Sequence, residues 1–193
     1  GGCTNAIADR DCADICTCLE CIGEAAVDQA ITLYYDITPA DPKTAKPLNT
    51  CQQTIGKSAV KFFVAKSKAL ATCWDKVNSG KLAGPCPDAA KAQPAIAKAA
   101  AQKDAAIAKA CCGKNKTCSA ADTGADKDLS VAEIGLWAQC DAVTIPGGSS
   151  CGGTIADMRS LIDCVDCVTE FKVDCADRSA VPALAAYPAE CNP

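Results

Sequence analysis

Apolar residues recur at three- to four-residue steps over most of this chain, the period of helices with one buried face. In residues 6–35 the stripe runs through Ile15, Leu19, Ile22, Ala26 and Leu33, with acids on the other side. Residues 37–50 interrupt it with Pro39, Pro42 and Pro47, each lacking a backbone donor, and read as a linker. From 51 to 79 the stripe returns through Ile55, Ala59, Phe62, Phe63, Leu70, Trp74 and Val77, with Lys57, Lys61, Lys68 and Lys76 largely off it. A turn over 80–87 precedes a second helix over 88–110. Here Ile96, Ala100, Lys103 and Ile107 are spaced by turns, and Pro94 marks the first turn or a kink.

Residues 111–129 read as a loop. Ser130-Val-Ala-Glu133 has the form of a capping box and predicts a short helix running to about 139. After a loop over 144–153 with Pro146 and four glycines, Thr154-Ile-Ala-Asp157 opens a helix ending near 177. Its stripe is Met158, Leu161, Ile162, Val165, Val168 and Phe171. The tail, with Pro182, Pro188 and Pro193, is irregular. No segment alternates with strand period. The expectation is an all-α, disulfide-stapled bundle of about five helices with a central antiparallel hairpin. Its parts are an N-terminal helix in 1–36, a linker over 37–50 and a cysteine-rich domain over 51–193.

Composition changes this picture in one respect. The 193 residues are 49% hydrophobic, but 38 of them are alanine and 17 cysteine, against 3 Phe, 3 Tyr, 2 Trp and 1 Met. Burying an alanine methyl gains far less than burying a leucine or phenylalanine, so the core is short of area and crosslinks are needed. So many thiols point to an oxidising compartment and a secreted, extracellular or cell-surface location. The start at Gly1-Gly2-Cys3 is read as a mature form whose signal peptide has been removed. Histidine is absent, which excludes Ser-His-Asp and Cys-His catalysis, His-ligated zinc and CxxCH haem attachment. There is no GxxxxGK[ST] or GxGxxG loop, and no run of 18 apolar residues to span a membrane.

The formal charge of −4 hides three blocks. Residues 43–116 carry 14 lysines against Asp75, Asp88 and Asp104, a balance of +11; residues 1–42 come to −7 and residues 117–193 to −8. Two readings stay open: solvated lysine faces, or a basic middle docking on acidic ends within one chain or between neighbours. Nucleic acid is set aside, because lysines without arginines or interleaved aromatics lack the tools for reading or stacking on bases.

The ends of the chain repeat each other. Cys18-Leu-Glu-Cys21-Ile-Gly-Glu24-Ala-Ala-Val27-Asp28 matches Cys164-Val-Asp-Cys167-Val-Thr-Glu170-Phe-Lys-Val173-Asp174, and Ile7-Ala8-Asp9 parallels Ile155-Ala156-Asp157. A duplicated helix is the reading adopted. It packs in its own chain or completes a neighbour; the second arrangement gives a head-to-tail polymer of the chain with itself.

The thiols admit three uses. In an antiparallel hairpin Cys51 lies near Cys111 or Cys112, and Cys73 near Cys86, so bridges are expected at both ends. Cys18, Cys21, Cys164 and Cys167 of the two CxxC helices are expected to bridge to loop cysteines such as Cys3, Cys140, Cys151, Cys175 or Cys191. The odd count leaves one thiol over, and Cys3, nearest the chain start, is the position chosen. A thiolate zinc or copper site is the alternative, with Cys12, Cys16, Cys18 and Cys21 close together. Thioredoxin-like chemistry is disfavoured without a βαβ context.

Residues 122–133 have the length of an EF-hand loop, with Asp122, Asp126, Asp128, Ser130 and Glu133 as oxygen ligands for a calcium cofactor. Gly124 and Lys127 depart from that pattern, and Ser130 with Glu133 is equally a helix cap. Asn115-Lys-Thr117 is a glycosylation sequon. Cys151 among glycines has no histidine base and reads as a crosslink rather than a nucleophile. Asp163 and Asp166 read as solvent-facing positions rather than an acid–base pair.

The run Cys51-Gln-Gln-Thr-Ile-Gly-Lys-Ser-Ala-Val-Lys-Phe-Phe…Leu70-Ala-Thr-Cys73, with Ile134-Gly135, Cys140 and the Cys164-Val-Asp-Cys167 helix, resembles a group of secreted bacterial cysteine-rich helical modules, some in tandem. The resemblance covers about residues 51–177. It implies export and modular repetition, and brings no active site. The functional expectation is a non-enzymatic extracellular structural protein that self-associates into a filament or surface layer. The alternatives are a secreted metal-binding protein and a ligand or inhibitor module on a rigid scaffold.

Overall fold

In the computed structural model the described residues are 39–118, 128–180 and the isolated positions 16, 17, 20, 21, 24, 28, 126 and 191. Among them four helices have defined bounds: α1 (Lys46–Asn78), α2 (Ala92–Cys111), α3 (Val131–Ile134) and α4 (Met158–Ala180). Four of the about five expected helices thus have bounds among the described residues. The N-terminal helix over 6–35 falls mostly outside the described residues, although Cys16, Thr17, Glu20, Cys21, Glu24 and Asp28 are each helical.

Helix starts and stops follow local chemistry. α1 begins at Lys46 rather than Cys51, because Pro47 sits in its first turn. There a missing N–H has no intrahelical acceptor to lose. Asp88, read as the start of α2, instead accepts hydrogen bonds from the Lys91 and Ala92 amides at 2.9 and 3.2 Å, just ahead of the helix. Pro94 again lies in a first turn. Ser130 and Glu133 form the reciprocal cap of α3, but that helix stops at Gly135 rather than near 139. Gly135 takes φ +80°, a conformation that ends helices and costs glycine little. The freed chain then pairs Gln139–Cys140 (β1) antiparallel with Gly153–Thr154 (β2), a short ladder that the helical reading missed. For α4, the Asp157 carboxylate accepts the Ser160 amide at 2.8 Å while Ser160 Oγ accepts the Asp157 amide at 3.0 Å.

α1 and α2 run antiparallel, joined near both ends by Cys51–Cys111 and Cys73–Cys86. α4 packs mainly on α1 and less on α2. The main core gathers Cys51, Ile55 and Ala59 of α1, Ile107 and Cys111 of α2, Val131 and Ile134 of α3, and the Met158–Val168 face of α4. Beyond it, Ile145 from the 144–150 turn meets Phe171, Cys175 and Cys191. α4 is therefore covered on more than one side, by the hairpin and by the loop carrying the β-ladder. Gln52, only 6% exposed, joins three segments: its Nε2 donates to the Ile134 carbonyl and its Oε1 accepts the Ala40 amide, both at 2.8 Å.

Cys112 bridges Cys118, Cys140 bridges Cys164, Cys151 bridges Cys167, and Cys175 bridges Cys191. In the chain-entropy account, the loss on removing a bridge grows with the loop that it closes. Replacing both Cys51 and Cys111 by alanine, a sequence separation of 60, is expected to cost about 4 kcal/mol. Replacing Cys73 and Cys86, a separation of 13, is expected to cost about 3 kcal/mol. Guanidinium unfolding of the two double variants checks the order.

Candidate functional site

Among the described residues, buried charge is concentrated where α4 crosses the hairpin. The apolar stripe of α1 runs Ile55, Ala59, Phe62, then Lys66, then Leu70 and Cys73, so helical spacing places a lysine among buried neighbours. On α2 the line through Ile107 and Cys111 carries Lys103 in the same way. Their side chains are 7% and 1% exposed. An ammonium group so enclosed must meet carboxylates. Lys66 Nζ lies 3.2 Å from Glu170 and 3.0 Å from Asp174. Lys103 Nζ lies 2.6 Å from Asp166 and 3.0 Å from Asp104, and 5.3 Å from the centroid of the Phe62 ring, a cation–π distance. The acids Asp166, Glu170 and Asp174 stand four residues apart on one face of α4. One further turn on, Asp177 accepts a hydrogen bond from Trp74 Nε1 at 3.1 Å.

This cluster sets the register of α4 on the hairpin. It also resolves part of the charge pattern, since the basic middle does dock on the acidic C-terminal block within one chain. Asp166, read as solvent-facing, is a Lys103 partner; Asp163 pairs instead with Arg159 at the surface, at 2.6 Å. Lys66 was passed over because lysine was counted as solvent-facing, although its place four residues after Phe62 and four before Leu70 was visible. Gln52 was missed likewise.

The remaining sequence candidates are placed as follows. Cys51, Cys73, Cys86, Cys111, Cys112, Cys164 and Cys167 are all in the bridges described above. Cys21 is disulfide-bonded, and Cys18 lies outside the described residues. The free thiol among the described residues is the exposed Cys16; Cys3, chosen from sequence, lies outside them. Of the calcium-type loop, Asp122 lies outside the described residues. Asp126 Oδ1 accepts the Lys114 and Asn115 amides at 2.5 and 3.0 Å. A Cβ at Gly113, where φ is +57°, would lie 2.7 Å from the Asp126 carbonyl oxygen, so this close approach requires glycine. Glu133 Oε2 accepts from the Ser130 amide and hydroxyl at 2.8 and 2.6 Å. The two carboxylates thus serve separate backbone turns. Asp128 is half-buried beside Leu129, whose amide donates to the Cys111 carbonyl at 3.0 Å. Among the described residues no group of three or more Cys, Asp or Glu forms a metal-ligand set.

Burial raises the Asp177 carboxyl above its ordinary 3.8, opposed by the Trp74 hydrogen bond and reinforced by Asp174. Between the unfolded and the raised folded value the native state holds the extra proton. Its contribution to stability therefore falls as pH rises through that window and stays unfavourable above it. The ordered backbone amide of Ser160 lowers Asp157 in the opposite sense, so that cap contributes above the ordinary carboxylate range and is lost on acidification.

Three substitutions probe this cluster, two on α4 and one on α2. Asp166→Asn leaves the enclosed Lys103 with Asp104 alone and is expected to cost about 2 kcal/mol. Lys103→Met is expected to cost under about 1 kcal/mol, because the carboxylates that it leaves are open enough to regain water. Urea unfolding with disulfides intact separates the two. Asp177→Asn keeps an acceptor for Trp74 and is expected to stabilise the protein at neutral pH, with the gain vanishing below about pH 3.8; thermal melts across pH test it.

No protein-family model matches this chain, and no curated protein or solved structure matches it at a significant level.

Proposed function

We propose that this protein is a non-enzymatic structural module of an oxidising, extracellular setting, a crosslinked helical bundle that associates with further copies of itself into a filament or surface layer. The observation that supports the reading best is the distribution of the six bridges between described residues. α1 is tied to the end of α2 and to the turn that follows α1; the end of α2 is tied to its own following loop; α4 is tied through Cys164 and Cys167 to the ladder loop and through Cys175 to Cys191. Such a network restricts unfolding of almost every described segment at once, which suits persistence outside the cell rather than turnover within it. No described helix is long and apolar enough to cross a membrane.

The purified oxidised chain tests this directly. Thiol titration of the native protein is expected to return one reactive thiol per chain, against seventeen after reduction and unfolding. Sedimentation and negative-stain electron microscopy at low salt are expected to show assemblies that dissociate as salt rises. A chain that stays monomeric at every salt and protein concentration refutes the self-association. Many reactive thiols in the native state refute the crosslinked module.

A further inference from the structure

The acid row that receives the buried lysines has a second copy in the sequence. In the match between 18–28 and 164–174, Glu20 aligns with Asp166, Glu24 with Glu170 and Asp28 with Asp174. In α4 these positions hold Lys103 and Lys66. In the N-terminal segment Glu20, Glu24 and Asp28 are helical and exposed, and they make no ion pair among the described residues. Four-residue spacing sets the three on one helix face, as in α4. Among the described residues one acid row is thus filled by lysines, and the other meets none.

A complementary surface lies on the outside of α1. Lys57, Lys61 and Lys68 are exposed and, among the described residues, have no acidic partner. Within their stripe, at helical spacing, stand Val60 and Val64, 38% and 57% exposed, which are the exposed large hydrophobics among the described residues. Lysines bordering an uncovered apolar strip fit a helix that brings carboxylates at the rim and aliphatic stems between them.

We propose that the acid row Glu20, Glu24 and Asp28 of one chain docks on the Lys57–Val60–Lys61–Val64–Lys68 stripe of a second copy. The inference rests on the self-association proposed above and names its surfaces. Because the two faces differ, the contact is heterologous, and each chain keeps one free row and one free stripe for the next. The free thiol Cys16 lies on the same helix face, four residues before Glu20, and serves as a built-in reporter.

The test uses full-length oxidised protein in two charge-reversed forms, E20K/E24K/D28K and K57E/K61E/K68E. Each alone is expected to lose the concentration-dependent rise in sedimentation coefficient seen in the parent at low salt, and to lose the protection of Cys16 from maleimide. Mixed together they are expected to regain both, since each then meets the opposite charge on its partner. Recovery on mixing also shows that both variants are folded. Assembly that survives either reversal, or fails to return on mixing while the circular dichroism of each variant is native, overturns this surface and leaves self-association standing. A monomeric parent overturns both.

Discussion

Two lysine side chains taken out of water constrain how the three long helices can lie. An ammonium group in a core is tolerated only where carboxylates reach it, and Lys66 and Lys103 come from different arms of the hairpin. The acids that reach them stand on one face of α4, separated by single turns. Sliding α4 by one turn would move each acid to its neighbour's place and leave Asp166 or Asp174 without its lysine. The apolar contacts of Ile55, Ile107, Leu161 and Ile162 are non-directional, and the ion pairs add a fixed direction to them. The ion pairs select the arrangement, and the surrounding burial supplies most of the stabilisation.

The crosslinks then hold what the ion pairs select. Each bridge acts chiefly by narrowing the unfolded ensemble. Cys111 and Cys112 hold the end of α2, whereas Cys164 and Cys167 lie inside α4 and fasten loop segments onto it. The β-ladder segment shows the two devices together: Cys140 and Cys151 fasten its loop to α4, while Arg178 Nη2 donates to the Pro146 carbonyl at 3.1 Å beside the same helix.

Much of this was legible because helical periodicity and cysteine position carry independent information. Cys51, Cys73, Cys86 and Cys111 bracket two amphipathic segments, and an antiparallel hairpin leaves few other pairings for them. Cys112 was less legible, since two adjacent cysteines at a helix end compete for the same partner until the chain direction is known; its bridge to Cys118 spans only six residues. Pro47 misled because proline stops a helix only when it falls past the first turn. Gly135 stopped α3 early through a backbone conformation that spacing alone does not reveal. Lys66 was hidden by a general expectation about lysine that fails where an acidic helix lies opposite, whereas Lys103 already stood in line with Ile96, Ala100 and Ile107. Buried charge is read from two elements at once, and a walk along one element misses it.

The bridge between Cys51 and Cys111 has a mechanical consequence. A pull applied to the backbone on either side of it passes from one sulfur to the other, bypassing the hairpin. The 60 residues of separation, on the order of 200 Å of chain if drawn straight, stay slack behind a single covalent link. Under tension this part of the protein would behave as a short inextensible tether, and would lengthen only in the presence of a reductant.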